Sequence, residues 1–87
     1  MPGITREGVD SAGGTNIEGS SNVFVNGRPA VRKGDAVAGH GGGAHAAPVM
    51  VGSSGTVFVN GIGVCRAGDE ASCGDPASGS SNVSAGG

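Results

Sequence analysis

Two histidines and two cysteines are the residues of this chain best suited to chemistry at neutral pH. His40 and His45 share one Gly- and Ala-rich segment, and Cys73 follows a Gly-Asp pair further along. Two imidazoles and a thiolate suit Zn²⁺, which prefers nitrogen and sulfur in a four-coordinate shell. Iron also accepts such ligands, whereas hard cations do not favour them. A hydrolytic reading finds less support. No Glu stands beside either histidine, and no Ser-His-Asp or Cys-His-Asn set is evident. Metal ligation by His40, His45 and Cys73 is therefore the chemistry to expect. Cys65 reads as a small buried hydrophobe, the usual habit of a free thiol in a core. A Cys65–Cys73 disulfide is disfavoured for a chain made in a reducing compartment.

The elements that must position these residues are repeats. Gly19-Ser-Ser-Asn-Val-Phe-Val-Asn-Gly27 returns as Ser53-Ser-Gly-Thr-Val-Phe-Val-Asn-Gly61, and in shortened form as Gly79-Ser-Ser-Asn-Val83. The register holds beyond the turn, since Phe24 to Phe58 and Asp35 to Asp69 are equally spaced. A unit written three times in a small chain points to pseudo-symmetric assembly rather than to catalysis. Val23-Phe24-Val25 and Val57-Phe58-Val59 read as short strands. Each ends in Asn-Gly, the strongest short hairpin signal, because both residues tolerate positive φ. The return strands are expected through Ala30-Val31-Arg32 and Val64-Cys65-Arg66, each closing at a Gly-Asp turn. Residues 36–51 form the irregular part, a loop or a pair of distorted strands. No segment has sustained helical periodicity.

The 87 residues allow one domain, here the whole span 1–87. With no Leu, Trp or Tyr, two Phe, 20 Gly and 4 Pro, the apolar supply is thin. A core of Val and Ala barely offsets backbone ordering of about 1–2 kcal/mol per residue. Such a domain is expected to need a staple: a metal, a disulfide or a partner. A Gly-rich disordered segment is the rival reading, opposed by the fixed places of the glycines in the repeat. The net charge of −2, with no basic stripe and almost no aromatic residues, disfavours nucleic-acid binding. No run approaches the ~18 apolar residues of a membrane span, and Met1-Pro2-Gly3-Ile4 lacks the basic and apolar regions of a secretory signal. Synthesis in the cytoplasm, with any export through another machine, is the expectation.

Pro29-Ala30-Val31-Arg32 is one letter from Pro-Ala-Ala-Arg and follows the Val-x-Val-Asn-Gly unit. With the opening Met1-Pro2-x-x-x-Arg6-x-Gly8, the Gly-Asp pairs and the late Cys73-Gly74, the chain resembles the PAAR-repeat family over essentially its full length. The resemblance implies an all-β fold, a small pseudo-threefold cone of short β-hairpins. It implies a structural, non-enzymatic tip that caps the blunt end of a homotrimeric β-helical spike, one chain per trimer. Such tips sharpen the puncturing device of type VI secretion systems, contractile phage tails and related injection machines, and some carry effector proteins. They pierce the target membrane without a transmembrane segment. Val- and Ala-rich faces with few charges would suit a dry docking surface.

The resemblance also implies an apex metal site, commonly three His and one Cys, with His40, His45 and Cys73 at matching places. The first segment departs from the pattern. Aligning Gly19 with Gly79 sets Gly13 opposite Cys73 where a His is expected, and Gly-Asp becomes Gly8-Val9-Asp10. With two histidines the three-His site cannot form. The fourth place is open to water, Asp10, Asp75 or Cys65, and loss of the metal is the other outcome. Arg32, Arg66, Asp35 and Asp69 recur at equal positions. They serve either to lock turns or, for the arginines, to contact the spike. A small metal-dependent enzyme or toxin is the alternative function, requiring an open metal position and a general base.

Overall fold

A computed structural model describes residues 1–86, and these are all-β with one short 3₁₀ turn. Three antiparallel pairs are present: β1 (Ser11–Ala12) with β2 (Gly14–Thr15), β3 (Phe24–Val25) with β4 (Arg28–Pro29), and β5 (Phe58–Val59) with β6 (Ile62–Gly63). The last two are hairpins closed by Asn26-Gly27 and Asn60-Gly61. Their Asn residues take φ of 53° and 55°, the left-handed conformation that two-residue hairpin turns demand. The repeated Ser is explained locally as well. Ser20 Oγ accepts from the backbone N–H of Asn22 and Val23, Ser54 Oγ from Thr56 and Val57, and Ser80 Oγ from Asn82 and Val83. Each hydroxyl thus folds the approach to a strand into a compact turn.

The third unit is assembled from the two ends of the described chain. Ser20 and Ser54 donate their N–H to the carbonyls of Ala30 and Val64, and Ser80 donates to Ile4. Ala30 and Val64 donate to Val23 and Val57, and Ile4 donates to Val83. Gly3 bridges Ser84, and the Ala85 N–H reaches the Pro2 carbonyl. Residues 2–6 therefore supply the return strand that the segment 79–86 lacks.

The expected return strands run only in part within their own hairpins. Strand pairing covers Arg28–Pro29 and Ile62–Gly63 and extends to the bonds of Ala30 and Val64 with Val23 and Val57, while the same segments also pair between units. Arg6 bridges Ala30, Arg32 bridges Val64, and Ile4 bridges Arg66. At the centre three backbone bonds form a closed cycle: Val31 N–H to Thr5 carbonyl (3.0 Å), Cys65 N–H to Val31 (2.9 Å), and Thr5 N–H to Cys65 (2.9 Å). Cross-unit pairing satisfies buried backbone groups that would otherwise be stranded.

Alternation along these segments sends side chains to two sides of the cycle. Ile4, Ala30 and Val64 pack with Val25, Val59 and Ala85 on the hairpin side, while Val31 and Cys65 pack with Ala12, Val37, Ala71, Met50 and Ala77 on the other. Asn16 takes the backbone place that Met50 and Ala77 hold in the other units, and its buried amide finds no side-chain or backbone partner among the described residues. Three Arg–Asp pairs recur around the body. Asp10, Asp35 and Asp69 each accept from the backbone N–H, Nε and NH2 of Arg6, Arg32 and Arg66, at 2.7–3.2 Å. The turns they brace place Gly8, Gly34 and Gly68 at φ of 85–92°. The inserted residue of the first turn is absorbed there, with the Asp10 N–H reaching the Arg6 carbonyl as Asp35 and Asp69 reach Arg32 and Arg66.

Residues 36–51 contain both expected forms. Ala36 bridges Val49 and the Val37 N–H bonds Pro48, so the base is a distorted strand pair. Above it lies a loop with a 3₁₀ turn over Gly43–His45. No helix among the described residues is long and apolar enough to cross a membrane.

Candidate metal centre

Three tips project beyond the Arg–Asp turns: residues 11–15, 38–47 and 70–76. The first is a bare turn at Gly13 between paired Ala12 and Gly14. The third is two residues longer, with the Ala71 N–H bonded to Asp75 and Ser72-Cys73-Gly74 between. The second is a long loop held locally, His40 N–H to His45 carbonyl (2.9 Å) and Ala46 N–H to Gly43 (3.2 Å). Glycine makes the curled path possible, and the curl sets both imidazoles on one side of the loop.

His40, His45 and Cys73, the three residues expected from the sequence, lie together, joined by Asp75. Their ligand atoms are all within 4.8 Å of one another. His40 Nε2 stands 2.8 Å from Asp75 Oδ2, 3.0 Å from His45 Nδ1 and 3.7 Å from Cys73 Sγ, while Cys73 Sγ is 3.4 Å from Asp75 Oδ2. Four-coordinate zinc at about 2.0–2.3 Å from nitrogen and sulfur spaces its ligands by roughly 3.3–3.6 Å. The cluster could hold a metal ion with these four donors, and the donor chemistry, two imidazoles, a thiolate and a carboxylate, fits a first-row transition ion.

Of the other candidates for the fourth place, Asp10 is occupied by Arg6 and by the Ser78 hydroxyl at 2.8 Å. Cys65 is fully buried in the core and donates its thiol to the Gly52 carbonyl. Burial, with the Asp69 and Asp35 charges, pushes the Cys65 thiol up to about 12, so it stays protonated. The Ala38 carbonyl on Nδ1 and the Asp75 carboxylate on Nε2 raise the His40 value. The His40 ring and the Cys73 thiol in turn hold Asp75 below the usual carboxylate range.

The arrangement is not a nucleophile–base–orienter chain. Asp75 and Cys73 both address His40 Nε2, whereas a relay needs the carboxylate on the nitrogen remote from the thiol. Four groups converging on one point suit an ion better than a proton transfer.

At the opposite side of the central cycle, Phe24 and Phe58 are more than half exposed at the hairpins, with Val23, Val57 and Ile62 partly exposed near them. Ala12, Ala30, Ala71, Ala77 and Ala85 are buried in the interior. No protein-family model matches the chain, and no curated protein matches it at a significant level.

Proposed function

We propose that this protein is a PAAR-repeat spike tip: a non-enzymatic, pseudo-threefold cone that caps a trimeric β-helical spike of a contractile injection machine. The observation that carries the reading is one bonding pattern repeated around a closed ring. The Thr5–Cys65–Val31 cycle, the three Ser turns and the three Arg–Asp pairs give one polypeptide three equivalent sides. A chain built this way can meet a threefold partner with matching contacts from each side. The exposed Phe, Val and Ile of the hairpins form the docking base, because they are apolar, uncharged and carried on rigid turns. His40, His45 and Cys73 form the apex and hold Zn²⁺, with iron the next choice. The membrane is then crossed mechanically, driven by the machine beneath.

Coexpression with a trimeric β-helical spike from the same genome, followed by native mass measurement, tests the proposal. One tip chain per three spike chains is expected. Replacing both Phe24 and Phe58 by Ser, the residue at the matching position Ser84, should abolish capture while leaving the isolated tip folded. A three-to-three complex, or capture unaffected by the double substitution, would sink it.

A further inference from the structure

We infer that Asp75 is the fourth metal ligand of the apex, replacing an imidazole that the first tip cannot supply, and that the site loads from solvent after the protein has folded. The inference rests on the reading of the apex as a metal centre and concerns how this chain completes it. The replacement is steric as well as chemical. Gly13 has φ of 86°, and a Cβ built there would collide with both Asp75 Oδ2 and His40 Nε2. A Cβ at Gly14 would collide with the Ala38 carbonyl and stand 3.0 Å from His40 Nδ1. The short first tip thus lies against the cluster as bare backbone, and the space a side chain would take is filled by the Asp75 carboxylate. Asp75 reaches that space because the third tip is two residues longer, which carries Cys73 and Asp75 up beside His40.

Loading after folding follows from access and from the body beneath. The four donors lie within reach of one another, His40 beside Asp75 and His45, and the Cys73 thiol beside Asp75. Access is open, since the His45 and Asp75 side chains are 42% and 38% exposed. The body beneath is closed by backbone bonds that involve none of the four side chains. Zinc fingers differ, being unfolded until the metal arrives.

Metal-free protein, prepared by chelation under reducing conditions, would be titrated with Co²⁺ and then with Zn²⁺. Circular dichroism would follow the fold, and the thiolate-to-cobalt absorption would follow coordination. The expected result is a β spectrum before any metal is added, one equivalent bound, and no refolding on binding. Asp75→Ala should weaken binding by more than about 100-fold, since even the outer partners of metal ligands contribute 10–100-fold. Asp75→Cys should restore tight binding and roughly double the thiolate absorption, because a second sulfur then reaches the ion. Wild-type affinity and spectrum in Asp75→Ala would overturn the assignment of Asp75 while leaving the apex a metal site. Absence of binding by the wild type would overturn both readings. A metal-free chain without β signal would overturn loading after folding.

Discussion

Removing the Asp35 carboxylate should cost the fold heavily, although Asp35 and Arg32 are only three residues apart and near the surface. Asp35→Ala deletes three bonds at once, to the Arg32 backbone N–H at 2.7 Å, to Nε at 3.0 Å and to NH2 at 3.1 Å. Truncating one partner of a buried pair costs about 3–5 kcal/mol. Arg32 retains partial access to water and the Asn60 amide oxygen at 3.3 Å, which reduces the expected loss to about 2–4 kcal/mol. One kcal/mol moves the Tm of a domain this size by about 4–8 °C, so thermal melts should fall by about 10–30 °C. Asp35→Asn, which keeps an acceptor oxygen but loses the charge, should lose about half as much. The equivalent substitutions should rank Asp10, then Asp35, then Asp69, because their side chains are 4%, 7% and 14% exposed and Asp10 alone also accepts from Ser78. Acid adds a second readout. Burial alone would raise the Asp10 carboxyl, but the Arg6 side chain, the Ser78 hydroxyl and the Arg6 backbone outweigh it and hold it below its ordinary value. A depressed carboxyl stabilises the fold above the unfolded carboxyl value near pH 4, and that contribution disappears as pH falls through the lower folded value. Asp10→Asn should therefore flatten the acid limb of stability against pH. A Tm drop below about 4 °C for Asp35→Ala would mark the pair as an ordinary exposed ion pair worth about 0–1 kcal/mol.

Thiol labelling of the native, metal-free protein at pH 8 should modify Cys73 and spare Cys65, with both reacting after unfolding; equal native rates would contradict the burial of Cys65 and its thiol pushed up to about 12. A circular permutant that joins the chain ends through a short Gly linker and reopens between Asn60 and Gly61 should keep the β spectrum and a cooperative transition, because the ends already meet where the other units turn. Reopening between Val31 and Arg32 instead breaks the central cycle and should abolish cooperative folding, and equal behaviour of the two permutants would refute the ring.

What was legible in the sequence was local. Asn26-Gly27 and Asn60-Gly61 announce hairpins because the turn conformation depends on those two residues alone. His40, His45 and Cys73 were legible through their chemistry, and the structure brings them together. The return strands begin where the sequence places them, with Ala30 and Val64 bonded to Val23 and Val57, but from Val31 and Cys65 onward they pair with other units, and no local pattern encodes a partner so far along the chain. The third unit was half hidden for the same reason. Residues 2–6 carry no copy of the Val-Phe-Val-Asn-Gly unit, and their role emerges only when Ile4 is seen against Val83. Asp75 stood among several candidates for the fourth place, because its reach depends on the first tip being shorter than the third. Signals were present in the adjacent glycines Gly13-Gly14 and in the Cys73-Gly74-Asp75 spacing, but neither decides the matter without the packing of one tip on another.

The thin apolar supply called for a staple, and the packing supplies one in the body and donors that could hold another at the tips. Neither side of the central cycle holds a residue larger than Met50 or Ile4, so burial alone leaves little surplus over chain entropy. The body is cross-linked instead by polar contacts that bind distant parts of the chain: Thr5 to Cys65 and Val31, Ser80 to Ile4, Ser20 Oγ to Asn60, and Ser80 Oγ to Asn26. Where the third unit lacks an Asn at this place, the Gly86 carbonyl accepts from Ser54 Oγ and from Arg66. Each unit therefore clasps the turn of another, and a closed set of clasps loosens only as a whole. The second tip has a different dependence. Between Ala38, bonded to Thr15, and Pro48, bonded to Val37, its backbone bonds are local, and its His40 and His45 side chains provide its bonds to the third tip. An ion held by His40, His45, Cys73 and Asp75 would therefore tie the second tip to the third and add little to the body.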